Sequence, residues 1–280
     1  LLNQYGTFNS PVWFNVGLWH EYGISGAGQS YAWKEGVEGG AGRVERIENS
    51  YERPQASACF LQSVDDSLAS IMELATNEAM LYKYGSGTGT NFDKIRGAGE
   101  KLSGGGTSSG LLSWLKLLDS VAGSIKSGGT TRRAASMRII SMDHPDIVDF
   151  IWWKAKEEKK AHALISAGYP SDFNGEAYAT VTGQNSNNSV RVSDDFMWAV
   201  ERGGKWETTY RTNGEVANTY EARDLWRMIA EAAWACADPG VQFDTTINKW
   251  HTVPNSGRIE SSNPCVEFMH LPDTACNLAS

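Results

Sequence analysis

Short apolar runs that suit buried strands alternate along this chain with longer stretches of helical periodicity, and that alternation points to an α/β architecture. The strand-like runs lie at 56–61, 137–140 and 241–243. Between them, Leu68, Ile71, Met72, Ala75, Ala79 and Met80 recur at helical spacing behind a cap at Asp66-Ser67. Leu112, Trp114, Leu115, Leu118, Val121 and Ile125 mark a second helix. A third is expected from a cap at Asp143 to about 164, with charged, solvated turns at 154–160. Ser193 caps a short helix at 196–200, and 208–216 reads as a hairpin around Asn213-Gly214. A long helix over 221–237 stops at Asp238-Pro239-Gly240. Glycine- and serine-rich runs at 85–91, 103–110 and 127–133 read as turns, and three further stretches as loops. These are 4–15, where aromatics mix with turn formers, the glycine-rich 22–48, and the polar 182–189.

A chain of 280 residues can bury one large α/β core or two smaller ones. Its net charge of -8 and pI near 5.2, with no basic stripe, argue against a nucleic-acid partner. No apolar run approaches the roughly 20 residues that cross a bilayer, and the start carries no signal-peptide pattern. A soluble, cytoplasmic protein without a membrane partner is expected. Leu1 at one end and the stop soon after Cys276 read as cuts, so a piece of a longer chain is expected.

Four scattered cysteines, with no Cys-x-x-Cys pair, suggest thiols in a reducing compartment rather than a disulfide scaffold or a zinc site. Cys236 shares a helix face with Leu225, Ile229 and Ala233 and reads as a small buried hydrophobe. Cys59, inside an apolar strand, would read the same way on its own. His20, His144, His162, His251 and His270 show no metal-ligand spacing, and no metal site is expected. The glycine runs lack the lysine of a P-loop. The eleven tryptophans read as core and loop anchors.

Cys265 is different. Asn263 and Glu267 flank it in a loop, polar company that a structural cysteine does not need. In an extended segment these three alternate positions would face one substrate. Partial burial of Glu267 would tune its carboxyl for proton transfer.

Several motifs appear in the order and at about the spacing of class II ribonucleotide reductases, which the chain resembles over nearly its whole length. They are Asn-Ser-Pro-Val-Trp-Phe-Asn at 9–15, Gly-Ser-Gly-Thr-Gly-Thr-Asn-Phe at 85–92, Gly-Gly-Gly-Thr-Ser-Ser-Gly at 104–110 and Gly-Gly-Thr-Thr-Arg-Arg-Ala-Ala at 128–135. Asn-Ser-Asn-Asn-Ser-Val-Arg-Val at 185–192, Asn-Pro-Cys-x-Glu at 263–267 and Asp-Thr-Ala-Cys-Asn-Leu-Ala-Ser at 273–280 complete the set. The resemblance implies that 1–280 is one partial catalytic domain, truncated at both ends. It would form about the first half of a ten-stranded α/β barrel with the 263–267 loop inside.

The implied activity is radical-based reduction of ribonucleoside di- or triphosphates to 2′-deoxyribonucleotides for DNA synthesis. Cys265 would carry the thiyl radical, Glu267 act as general base, and Asn263 orient the ribose hydroxyls. Cys59 and Cys276 would supply two reducing equivalents and leave as a disulfide. Ser10, Gly87 and the Ala58-Cys59 backbone match substrate contacts. Asp66, Ser67, Leu68 and Arg96 match contacts for a dNTP or ATP effector, within candidate regulatory regions 66–96 and 180–193. The loop near 183–188 would relay base choice. From the residues alone, Asp66 and Ser67 read equally as helix caps and Arg96 as a surface charge. The implied radical source is adenosylcobalamin, the implied reductant an external dithiol such as thioredoxin or glutaredoxin, and a homodimer is possible. The chain alone is expected to be inactive. Three alternatives stand beside this reading: a class I large subunit served by a separate metal-radical subunit, a nucleotide-binding regulatory module without catalysis, and a plain thiol-disulfide protein.

Overall fold

The computed structural model describes residues 1–28, 30–36, 40–126 and 133–279. Two short helices, α1 (Ser10–Asn15) and α2 (Leu18–Tyr22), precede a hairpin of β1 (Ser30–Lys34) and β2 (Arg43–Ile47). Then come β3 (Cys59–Gln62), α3 (Leu68–Lys83), β4 (Gly87–Asn91), a small hairpin of β5 (Ala98–Lys101) and β6 (Thr107–Ser109), and α4 (Leu111–Ser124). They lead to β7 (Ser136–Ser141), α5 (Ile147–Ser166), α6 (Glu176–Thr180), β8 (Ser186–Val192) and α7 (Asp194–Arg202). A hairpin of β9 (Lys205–Thr209) and β10 (Val216–Glu221) feeds α8 (Ala222–Cys236), β11 (Gly240–Phe243) and α9 (Asp244–Lys249). The last elements are β12 (Ser261–Ser262), β13 (Met269–His270) and β14 (Thr274–Cys276).

β3, β4, β7, β8 and β11 lie side by side in that order and run parallel, while β14 joins the outer edge of β3 antiparallel. Every crossover adds its strand on the same side of the last, which lays the connecting helices on one face of the sheet. Ile71 and Leu74 of α3, Leu115 and Leu118 of α4, Phe150 and Ile151 of α5, and Leu225 and Ile229 of α8 meet Ile140, Val190 and Val192 there in one buried cluster. The six strands form an open sheet, edged by β11 and β14, and do not close on themselves. The α/β class expected from the sequence is what the chain adopts.

Helix starts follow the caps. The Ser67 hydroxyl accepts from the Ser70 N–H at 3.2 Å and that of Ser193 from the Phe196 N–H at 3.2 Å. α8 stops where Ala237 turns left-handed at φ 65°.

Several expected loops are ordered. Residues 10–15 form α1, because Asn9 caps Val12 and Pro11 sits in the first turn. Within 22–48, an antiparallel ladder pairs Ser30 through Lys34 with Ile47 through Arg43. The glycine run at 85–91 contains strand β4, and the polar 182–189 stretch contains the first half of β8. Both strands are internal to the sheet, where hydrogen bonding to two neighbours overrides weak local propensity. Asp143 does not cap α5; it accepts from Arg211 at 3.0 and 3.1 Å. The residue before the helix is Asp146, whose carboxylate reaches out to the N–H groups of Ala98 (2.9 Å) and Leu111 (2.8 Å). Two residues of the charged turn are drawn inward: Lys154 pairs with Asp238, and Glu157 accepts from the Thr182 N–H at 3.1 Å. The glycine run at 127–133 lies, apart from Arg133, outside the described residues.

Behind β4, on the helix-covered face, sits an ion pair with no solvent exposure at either side chain. Arg138 of β7 grips Glu78 of α3 with two N–H groups, at 2.5 and 2.8 Å, and the Thr88 hydroxyl donates to the same carboxylate at 3.0 Å. Such a pair contributes little over an apolar replacement, but breaking it strands a buried charge. Glu78→Gln should therefore lower the unfolding free energy of the protein by about 3–5 kcal/mol in urea denaturation. Glu78→Leu combined with Arg138→Met should recover most of that loss, and a double variant as unstable as the single one would refute this account.

Candidate active site

The stretch around Cys265 is the tip of a hairpin, not an extended segment. β12 and β13 pair antiparallel, the Asn263 N–H donates to the Phe268 carbonyl at 3.1 Å, and the Val266 N–H to the Asn263 carbonyl at 3.1 Å. Pro264 takes the second turn position, which its fixed φ favours. Val266 is left-handed at φ 69°. Period-two reasoning therefore fails across the turn: Asn263 is fully buried, while Cys265 and Glu267 are exposed. Partial burial would suit a proton-transferring carboxyl at Glu267, but the residue is exposed.

The hairpin lies on the sheet face opposite the helices, and β4 is built for it. A Cβ added at Gly89 would overlap the Ser262 carbonyl oxygen, and one at Gly87 would come within 3.0 Å of the Pro264 ring. Glycine at these two positions lets another backbone approach the strand. Three carboxamides from the sheet then fix the hairpin. Asn91 of β4 donates to the Glu260 carbonyl at 2.9 Å, Asn187 of β8 to the Pro264 carbonyl at 2.7 Å, and Gln242 of β11 to the Ser262 hydroxyl at 2.9 Å. Asn263 reaches the other way: its Nδ2 lies 3.7 Å from the Cys59 sulfur, while its Oδ1 accepts from the Phe268 N–H at 3.0 Å.

A cavity of about 220 Å³ opens beside this hairpin. Ser10, Ala58, Cys59, Gly87, Cys265 and Glu267 all line it. Two other residues of the expected site stand behind the wall: Asn263 is sealed beneath the turn, and Cys276 is buried on β14. Cys276 is the register partner of Cys59 across the antiparallel β3–β14 pair. Directly opposed residues on such a ladder have Cα atoms about 4.5–5.5 Å apart, within the span a disulfide bridges. Both are thiols here. Burial pushes the Cys59 thiol up to about 11; the Asn263 amide opposes the shift, and the Glu267 carboxylate and the two neighbouring sulfurs add to it. Cys276 is raised as well, by burial and then by Glu267. Both groups are thus held as hydrogen-carrying thiols rather than thiolates.

The candidate effector residues gather elsewhere. Asp66 and Arg96 form an ion pair at 2.6 Å, Ser67 is engaged as the α3 cap, and Leu68 is exposed. They follow the C-terminal ends of β3 and β4. Residues 183 and 185 precede the N-terminal end of β8, where their N–H groups bind Asp119 at 2.7 and 2.9 Å. The two regions therefore lie at opposite ends of the parallel sheet. Cys236 is half-buried, with its sulfur near the Ala232 and Asp238 carbonyls. Among the described residues no group of three or more His, Cys, Asp or Glu side chains could hold a metal ion.

Sequence reasoning missed the carboxamides Asn91, Asn187 and Gln242, and it missed Arg133, which lines the cavity while stacking 3.9 Å from the Phe173 ring centre. Asn91, Asn187 and Arg133 lie inside motifs already singled out, which was the one available signal.

A family model described as the ribonucleotide reductase barrel domain matches residues 57–280. The chain is 56% identical over 281 residues to a vitamin B12-dependent ribonucleotide reductase of Rhodopirellula baltica, covering 100% of this chain and 27% of that protein. It is 50% identical over 280 residues to the vitamin B12-dependent ribonucleotide reductase of Streptomyces avermitilis, covering 100% and 26%. A vitamin B12-dependent ribonucleoside-diphosphate reductase of Mycobacterium tuberculosis is 39% identical over 225 residues, covering 80% and 29%. The chain thus spans about a quarter of the length of these curated relatives.

The raised Cys59 thiol sets a pH dependence. A thiol at the ordinary 9.0 is half ionised at pH 9, whereas one at about 11 is roughly 1% ionised. Iodoacetamide labelling of Cys59, followed by peptide mass spectrometry, should keep accelerating as pH rises through about 11, and exposed Cys265 should be labelled first. A Cys59 rate that levels off near pH 9 would contradict the desolvated site.

Proposed function

Because this chain belongs to the ribonucleotide reductase barrel-domain family, we propose that it carries the sulfur and carboxylate chemistry of a reductase that converts ribonucleotides to 2′-deoxyribonucleotides. The observation that carries the reading is the assembly of Cys59, Cys265 and Glu267 around one cavity, with Cys276 paired to Cys59.

In this reading the ribose enters the cavity beside Cys265. A thiyl radical there takes the hydrogen atom from C3′ and later returns it, so Cys265 is regenerated. Glu267, exposed at the tip, accepts the 3′-hydroxyl proton as the 2′-hydroxyl departs and gives it back when the 3′-hydroxyl is restored. That leaving group becomes water with a proton from the Cys59–Cys276 pair. The pair gives up two protons and two electrons in all and closes as a disulfide. One ribonucleotide and two thiols thus yield one deoxyribonucleotide, one disulfide and one water. Neutral, buried thiols suit that task, because each must bring its hydrogen with it. Asn263, with its amide committed to the Cys59 sulfur and the Phe268 N–H, holds the reducing thiol beside the turn.

Adenosylcobalamin, when bound, supplies the one-electron chemistry that turns the Cys265 thiol into a radical. The residues present fit such a cofactor: of the three sulfurs at the site, only that of Cys265 belongs to an exposed residue. Cys265 is the residue that would face it. The reading further includes a dNTP or ATP effector at Asp66, Ser67, Leu68 and Arg96, a regulatory part for 180–193, a dithiol protein that reopens the disulfide, and assembly as a homodimer.

The full-length protein, given a ribonucleotide, adenosylcobalamin and a dithiol, should form deoxyribonucleotide without any added metal subunit. Cys265→Ser should abolish product by at least about three orders of magnitude, as expected when the reacting group itself is removed. Product that appears only with a separate metal subunit would favour the class I alternative, and undiminished turnover by Cys265→Ser would overturn the reading.

A further inference from the structure

We propose that Asn187 is a positioning residue for Cys265, acting through the carbonyl of Pro264. The inference rests on the reading of Cys265 as the hydrogen-abstracting thiol. The peptide bond that joins Pro264 to Cys265 is held from two sides. On one, the Pro264 ring sits over Gly87, where even a methyl group would come within 3.0 Å of it. On the other, the Asn187 side chain donates to the Pro264 carbonyl at 2.7 Å, a short hydrogen bond that fixes the plane of that peptide. Rotation of this plane swings the Cys265 Cα–Cβ bond directly, since no other torsion except the φ of Cys265 lies between them.

The remaining anchors of the hairpin act further back. Gln242 and Asn91 hold Ser262 and Glu260, and Asn263 secures the turn to Phe268 and Cys59. Asn187 alone among these carboxamides touches the residue next to Cys265. The β8 strand that carries it is anchored on both sides by β7 and β11 and buries Asn188, Ser189, Val190 and Arg191. The donor thus stands on a rigid element while Cys265 sits at an exposed hairpin tip, which needs such an anchor to hold a reacting atom in place. A neutral amide also keeps this hold at every pH and adds no charge beside a radical site.

The bond predicts a defect in one step only. Misplacement of a reacting atom by about 1 Å costs on the order of 100-fold in rate. In the full-length protein, Asn187→Ala and Asn187→Asp should each lower kcat roughly 10- to 100-fold with KM within about twofold of wild type. They should also raise the kinetic isotope effect measured with 3′-deuterated ribonucleotide, because hydrogen abstraction becomes more rate-limiting. The aspartate variant keeps the shape of the side chain but loses the donor and adds a negative charge, so Asn187→Leu, neutral and of similar size, is measured beside it. A space-filling role would leave the leucine variant unchanged, and wild-type kcat there would overturn the proposal. Wild-type kcat in Asn187→Asp would overturn the proposal, as would a kcat loss with an unchanged isotope effect. Undiminished turnover by Cys265→Ser is a separate result: it would remove the underlying reading, and this proposal with it.

Discussion

The site depends on one close approach of backbone to backbone. Segment 262–264 lies so near β4 that position 89 has no room for a Cβ and position 87 almost none. That contact converts an otherwise ordinary parallel strand into the floor of a cavity. It brings a hairpin that starts some 170 residues later in the chain over the face where β3 presents Cys59. The three strand carboxamides then hold the hairpin laterally, and the β3–β14 ladder supplies Cys276. Ligands of open α/β sheets usually sit beyond the carboxyl ends of the strands. Here Cys59, Gly87 and Asn187 are at the amino ends, and the overlaid hairpin explains the exception.

The two faces of the sheet divide the work. The helix-covered face holds the apolar core and the sealed Arg138–Glu78 pair, which joins β7 to α3 directly behind β4. The hairpin face mixes carboxamides, hydroxyls and sulfurs with the buried side chains of Leu61, Met137 and Ile139. Strand alternation makes the division possible: Thr88 points back to Glu78, while Gly87 and Gly89 leave the other face clear. Desolvation on that second face keeps the Cys59 and Cys276 thiols protonated.

Much of the helical layer was legible from sequence, because α3, α4, α7 and α8 show apolar spacing and three of them start or stop at recognisable caps. The strands were legible where they were apolar, as in β3, β7 and β11, and at the β9–β10 hairpin, which the Asn213-Gly214 turn marked. β4 and β8 were not, since Gly-Thr-Gly-Thr-Asn and Ser-Asn-Asn-Ser carry no hydrophobic signal. Their composition is set by what lies across them, a long-range fact that no local window contains. The same limit applied at the site. Cys265, Glu267, Cys59, Gly87, Ser10 and Ala58 were named from the family resemblance and meet at one cavity. The arrangement of Asn263 was misread, because alternation was extended through Pro264, where the chain turns. Asn91 and Asn187 lay inside quoted motifs but, like Gln242, were not read as anchors, because a carboxamide looks the same in a loop and in a clamp.

The contact at Gly89 can be measured on its own. Urea unfolding of the protein should show Gly89→Ala less stable than wild type by about 1–3 kcal/mol, the usual range for overpacking. Gly104→Ala, where an added Cβ meets open space, should stay within about 0.5 kcal/mol. A Gly89→Ala variant as stable as Gly104→Ala would mean that the hairpin does not rest on β4, and the cavity with its gathered sulfurs would lose its physical basis.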